Sequence, residues 1–151
     1  AFSLLVKKVP CKLIILGEGE LRMKLERMVK ELELENSVDL VGLVENPFSF
    51  MNHCDVFVLS SKYEGLSNVI IEAMYCGAKI VSTDCPSGPA EILEQGKWGK
   101  LVKVGDSVEL ADAMLKSLSL PKMSVEQRAN FFSTKRSSDK YLNLIQASVS
   151  N

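Results

Sequence analysis

Five short runs with apolar centres limit what this chain can become. They lie at Lys12–Leu16, Val38–Val41, Asp55–Leu59, Lys79–Thr83 and Lys100–Val104, and each is followed by a turn and then by a segment with helical spacing. A run that is apolar at every position, rather than at every second one, is a strand covered on both faces. Strands of that kind alternating with helices require a parallel sheet with right-handed crossovers. The expected fold class is α/β, a Rossmann-like, mostly parallel sheet with helices on both faces, its last strand at an edge.

The intervening segments fit this frame. Leu21, Leu25, Met28, Val29, Leu32 and Leu34 recur at helical spacing opposite Arg22, Lys24, Glu26, Arg27, Lys30 and Glu31, and Asn36-Ser37 stops the pattern. Asn46-Pro47 opens a short helix reaching about Met51. A helix from about Ser67 to Tyr75 ends at Gly77, and another short one runs from Pro89 to Leu93. Asp106 or Ser107 caps a helix carrying Val108, Leu110, Ala111, Met114, Leu115 and Leu118, which Pro121 breaks. Phe2, Leu5, Val6 and Val9 read as the last turns of a helix closed by Pro10. Residues 124–148 form a C-terminal helical extension anchored by Phe131, Phe132, Tyr141, Leu142, Leu144 and Ile145, with Ser148–Asn151 frayed.

Composition excludes several function classes. A net charge of -1 over 151 residues offers no electrostatic basis for binding nucleic acid or an anionic membrane surface. No run approaches the roughly 18 apolar residues of a membrane span. Cys11, Cys54, Cys76 and Cys85 lack the paired spacing of zinc ligands and lie in or beside apolar runs, so they read as small buried hydrophobes of a reducing, cytosolic protein. His53, near a helix end, and Trp98, in the Gly96–Gly99 turn, read as structural.

Chemistry concentrates between Val56 and Gly77. There an apolar run ends in Ser60-Ser61, a Glu64-Gly65 turn follows, and a helix begins that carries Glu72 among Val69, Ile70, Ile71, Ala73 and Met74. A strand, a tight loop and a helix N-terminus in sequence direct free backbone amides and the positive end of a helix dipole to the carboxyl edge of the sheet. Gly65 permits close approach of a ligand to the backbone, and the amides of Leu66, Ser67 and Asn68 suit a diphosphate. The plainer alternative is that Ser67 or Asn68 caps the helix. A carboxylate on so apolar a helix is expected to be buried on two sides and to need donors, which sugar hydroxyls supply. An ion pair with a lysine, or a solvated helix edge, is its ordinary alternative. The loop Asp84–Pro89, also at a strand end, can face the same crevice. Glu91 reads equally well as a first-turn glutamate. Gly17-Glu18-Gly19 follows a strand and precedes a helix, but Arg22 stands where a dinucleotide fingerprint needs its third glycine, so the fingerprint fails.

Taken together, these stretches resemble the retaining family 4, or group 1, glycosyltransferases of the GT-B fold. The likeness runs through Leu-Ile-Ile-Leu-Gly-Glu-Gly-Glu-Leu at 13–21, Val-Gly-Leu-Val-Glu-Asn-Pro at 41–47, Asp-Val-Phe-Val-Leu-Ser-Ser at 55–61, the Glu64 to Glu72 pair, and Ile-Val-Ser-Thr-Asp-Cys-Pro-Ser-Gly-Pro-Ala-Glu-Ile-Leu at 80–93. The last is a version found in bacterial enzymes that build surface glycans. The resemblance implies a single nucleotide-sugar-binding domain over residues 1–151. In it Glu72 binds the ribose hydroxyls and Glu64 orients the donor sugar as the catalytic residue. Gly65, Leu66 and Ser67 hold sugar and phosphate, and Gly17, Gly42, Leu43 and Val44 lie near the base. It further implies a UDP-sugar donor, a glycan or lipid-linked acceptor, no metal and no cofactor. The location implied is cytoplasmic, peripheral to the inner face of the membrane in the full-length protein.

The chain also departs from this family. Upstream of Leu13 such enzymes carry a strand ending in Gly-Arg, a lysine that meets the diphosphate, and an N-terminal acceptor domain. This chain shows none of them. The lacking strand is the first and central one in the order 3-2-1-4-5-6. The expectation is a donor-binding fragment, inactive alone, whose interrupted sheet either closes, associates with itself or is covered by another chain. The competing functions are a non-catalytic nucleotide-binding or assembly module and, disfavoured by Arg22, a nicotinamide-dependent oxidoreductase.

Overall fold

A computed structural model describes residues 1–122 and 124–149. In chain order the elements are α1 (Phe2–Leu5), β1 (Leu13–Leu16), α2 (Arg22–Glu31), β2 (Val38–Gly42), α3 (Pro47–His53), β3 (Phe57–Leu59), α4 (Asn68–Tyr75), β4 (Ile80–Thr83), α5 (Pro89–Ile92), β5 (Lys100–Val102), α6 (Ser107–Ser119), α7 (Glu126–Asn130) and α8 (Thr134–Val149). Local chemistry sets several boundaries. The Asn46 side chain accepts from the Ser49 amide ahead of Pro47, and Asp106 accepts from the amides of Val108 and Glu109. Gly77, at φ 71°, ends α4 in the left-handed conformation that glycine adopts without strain.

All strand pairs are parallel. Side chains of a strand alternate between faces, and the core divides accordingly. Ile80, Phe57, Leu59 and Leu101 join Met51, Ile70, Ala73, Met74, Ile92 and Leu93 on the side of α3, α4 and α5. Val81, Val58 and Val102 join Leu5, Leu110, Ala113 and Met114 on the side of α1 and α6. Helices therefore cover both faces, and β4, paired on both edges, is buried along its whole length. β5 is the edge strand that the sequence predicts.

The sheet is not continuous. β1 pairs with β2, β3 pairs with β4 and β4 with β5, but no ladder joins β1 to β3. The interruption falls where the order 3-2-1-4-5-6 places its first strand. Of the expected outcomes, closure by the remaining strands does not occur.

Three expectations fail as a result of uncovered apolar surface. β1 was expected to be buried on both faces, yet none of its residues is buried and Ile14 is 47% exposed. α2 was expected to bury its apolar stripe, yet it contains no buried residue and Met23 and Met28 are exposed. Both results have one cause: a two-stranded ribbon offers a helix too little surface to pack against. Likewise Tyr141, Leu142, Leu144 and Ile145, read as anchors, are exposed on α8. Phe132 does pack on the core, as does Trp98. Of the segment expected to fray, Ser148 and Val149 have helical backbone, while Ser150 and Asn151 lie outside the described residues.

Candidate functional site

The junction between β3 and α4 is held from below. Thr83, the last residue of β4, donates its hydroxyl to the Ser61 carbonyl at 2.6 Å, with the Leu59 carbonyl at 3.4 Å. Ile70, Ile71, Ala73 and Met74 bury α4 against the core and so fix where its N-terminus points. Sequence reasoning missed Thr83; its place at the carboxyl end of a central strand was the available signal.

At that N-terminus Ser67 occupies the cap position, but its side chain makes no capping bond. The expected capping role is therefore not observed. Asn68, the alternative cap, is already the first helical residue. Ser67 is fully buried, and its hydroxyl has no hydrogen-bond partner among the described residues. The amides of Gly65, Leu66 and Ser67 likewise donate to no acceptor among the described residues. Four polar donors are thus left free at the positive end of a helix, the arrangement that binds anions.

The loop after β4 closes over this point. Gly88 has φ 100°, and a Cβ there would lie 2.8 Å from the Ser67 hydroxyl oxygen, 3.0 Å from the Gly65 carbonyl and 3.1 Å from the Ser67 nitrogen. Only glycine fits. The expectation that the Asp84–Pro89 loop faces the same crevice thus holds at Gly88.

Glu64 is half-buried at the start of the turn, and Glu72 is half-buried on the second turn of α4. Burial of Glu72 on two sides is not found, because Val69 and Tyr75 reach solvent on the same helix. No hydrogen bond or ion pair engages either carboxylate among the described residues, so the lysine pair offered as an alternative is absent there. The nearest electrostatic consequence is at Cys76, one turn on. Its thiol is raised above the ordinary range by burial first and by the Glu72 charge second.

The residues expected to lie near a base meet elsewhere. The β1–β2 register slips after Ile15, so that Leu16 pairs with Gly42 and skips Val41. That bulge lets the Gly17 amide donate to the Gly42 carbonyl at 2.7 Å, joining the two turns. Leu43 beyond them is 81% exposed and Val44 is half-buried. A cleft of about 210 Å³ opens beside Gly17, lined by Ile15, Leu16, Glu18, Arg22 and Leu40 among others. No hydrogen bond or ion pair among the described residues links this pair of turns to the Glu64–Glu72 segment. The candidate site therefore has two parts, one on each sheet.

His53 and the four cysteines lie in ordinary structural settings. His53 places Nδ1 2.8 Å from the Ser49 carbonyl one turn earlier. Cys85 is buried, and Cys11, Cys54 and Cys76 are partly so; burial pushes the thiols of those three up, disfavouring the nucleophilic thiolate. Among the described residues no three His, Cys, Asp or Glu side chains cluster as a metal site would require.

Comparison with known proteins places this geometry in context. The family described as "Glycosyl transferases group 1" matches residues 1–119. The N-acetylgalactosamine-N,N'-diacetylbacillosaminyl-diphospho-undecaprenol 4-alpha-N-acetylgalactosaminyltransferase of Campylobacter jejuni is 43% identical over 97 residues, covering 64% of this chain and 27% of that protein. The poly(ribitol-phosphate) alpha-N-acetylglucosaminyltransferase of Staphylococcus aureus is 30% identical over 153 aligned positions, 96% of this chain and 31% of its own length. The solved structure of an S. aureus TarM variant in complex with fondaparinux, alpha-GlcNAc-glycerol and UDP superposes with a TM-score of 0.84 at 30% identity, over 94% of this chain and 30% of that one. The chain spans less than a third of the length of each of these relatives.

Proposed function

The chain belongs to the group 1 glycosyl transferases, and on that premise we propose that it is the donor-binding portion of a retaining sugar transferase. Its donor is a nucleotide diphosphate sugar of the UDP type, and its acceptor a glycan or lipid-linked glycan of bacterial surface polysaccharide synthesis. The relatives' names support the reaction class, and the UDP in the TarM complex supports the nucleotide.

One observation carries the reading: three amides and a buried serine hydroxyl, none with a partner among the described residues, stand together at the N-terminus of α4, about one helical turn from a carboxylate likewise unpaired among them. The amides of Gly65, Leu66 and Ser67 hold the diphosphate, and the helix dipole stabilises the charge that develops on it as the sugar leaves. Glu72 accepts from the ribose hydroxyls, and Glu64 orients the donor sugar. The base lies by Gly17, Gly42, Leu43 and Val44. No cofactor beyond the donor enters this scheme. Donor binding rather than turnover is assigned to this stretch, with acceptor contacts on other parts of a full-length protein that works at the cytoplasmic face of the membrane. No helix among the described residues is long and apolar enough to cross a membrane.

Titration calorimetry with UDP tests the ribose contact. Hydrogen bonds to a charged acceptor contribute about 1.5 to 3 kcal/mol, so Glu72→Gln is expected to weaken UDP binding by about tenfold or more. Unchanged affinity removes Glu72 from the ribose.

A further inference from the structure

In the sequence Arg22 stands on the polar face of a helix and breaks a dinucleotide fingerprint; in the structure its side chain joins three partners around the Gly17 and Gly42 turns. As the first residue of α2, it sends its guanidinium back over the Gly17–Gly19 turn. Nη1 donates to Glu18 Oε1 at 2.5 Å, Nε to Glu26 Oε1 at 2.9 Å, and Nη2 to the Leu40 carbonyl on β2 at 3.1 Å. One planar group thus connects the turn after β1, the body of α2 and the strand that ends in Gly42. Lysine has neither the planar fork nor the number of donors to do the same.

Gly42 completes the arrangement. With φ 84° it sits where side chains are strained, and a Cβ would fall 2.5 Å from Glu18 Oε1 and 3.6 Å from Arg22 Nη1. The bare backbone leaves room for the ion pair to lie across the two turns, beside the Gly17 amide bonded to the Gly42 carbonyl. This connection matters because little else holds α2 down: none of its residues is buried. The position of the turn rests on polar contacts where apolar packing is missing.

We propose that Arg22 is a positioning residue of the donor site, a latch that holds the Gly17–Gly19 turn against Gly42 and so shapes the wall receiving the nucleotide base. The inference rests on the base-proximal reading of those turns. Glu18 and Glu26 occupy the guanidinium, so Arg22 acts through the turn and not as a cation for phosphate. Its loss therefore affects ligands that carry a base and spares those that do not.

The test uses the 151-residue chain with Arg22→Ala and Arg22→Lys, reading Gly17 amide hydrogen exchange together with binding of UDP and of inorganic pyrophosphate. The expected result for Arg22→Ala is a tenfold or greater loss of Gly17 amide protection and a tenfold weaker affinity for UDP. Pyrophosphate affinity and the protection of β4 amides stay within twofold, and Arg22→Lys restores only part of the loss. Unaltered Gly17 protection in Arg22→Ala overturns the latch whether or not UDP binds. Equal loss of UDP and pyrophosphate affinity overturns the base-side assignment, since a general loosening would produce it. If the unsubstituted chain binds UDP no better than pyrophosphate, the base-proximal reading itself fails, and the role of Arg22 in donor binding is overturned with it.

Discussion

Ser67 and Gly88 work as a pair. The serine hydroxyl is buried without a partner, and the glycine presses against it where no side chain fits. An unsatisfied buried hydroxyl costs about 1 to 3 kcal/mol, so Ser67→Ala is expected to leave the ligand-free chain as stable or up to about 1 kcal/mol more stable. The same change is expected to weaken pyrophosphate and UDP binding together; urea denaturation beside calorimetry measures both. A loss of stability would show that the hydroxyl has a partner in solution. Gly88→Ala should act the other way. It combines a positive φ with one contact below 3 Å and two more at 3.0 and 3.1 Å, and is expected to cost about 2 to 3 kcal/mol in urea unfolding while also displacing the proposed phosphate site. Ser67 is legible as a candidate site residue because helix N-termini announce themselves in sequence. Gly88 is not, beyond a loop of the right composition, because its constraint comes from a segment some twenty residues away in the chain, which meets it only after β3 and β4 pair.

Elements were legible where local chemistry decides them, and misread where packing decides. Asp106 and Asn46 cap their helices as their sequence positions require. α2 and α8 have the periodicity of buried helices and stay uncovered, because an apolar stripe records what a helix can pack against and not whether anything is there. α7 shows the reverse case. Its short pattern drew no functional reading, yet Arg128 on it is buried and donates to the carbonyls of Ile92 at 2.8 Å and Glu91 at 2.5 Å, pairs with Glu94 and stacks on Phe131 and Phe132. The last carbonyls of a helix need donors, and here another helix supplies them to α5. Arg128→Met is expected to cost about 3 kcal/mol in denaturant unfolding, two charge-assisted hydrogen bonds being lost. Acid should loosen the same junction. Hydrogen bonds from Trp98 and then Lys97 hold the Glu94 carboxyl below its ordinary value, aided by the Arg128 charge. A depressed folded value means that its stabilisation is complete above the ordinary carboxylate range and is lost as pH falls through the folded value. The urea midpoint should therefore decline below about pH 4.5, and Glu94→Gln should flatten that decline.

For the molecule as a whole, the main departure from the sequence-based picture is strand burial that does not follow strand composition. β1 is Leu-Ile-Ile-Leu and β4 is Ile-Val-Ser-Thr; β4, the less apolar of the two, has a neighbour on each edge and is buried, whereas β1 has one and is not. Pairing, which no single run encodes, sets the difference. Local opening follows burial, so amides of β1, β2 and α2 are expected to exchange well before those of β4 and α4, as a separate cooperative unit. A single exchange free energy across both sheets would contradict this. Unpaired strand edges also favour association, so sedimentation is expected to show concentration-dependent oligomers, and Ile14→Lys to suppress them.

The split sheet also changes what a bound nucleotide would be to this protein. The turns proposed to meet the base and those proposed to meet the phosphates stand on different sheets, with no ladder between them among the described residues, so the distance between them would be set by the guest as much as by the host. A ligand that touched both would act as a splint. Raising its concentration would slow exchange in β1 and β2 in step, by the ordinary linkage of binding to folding.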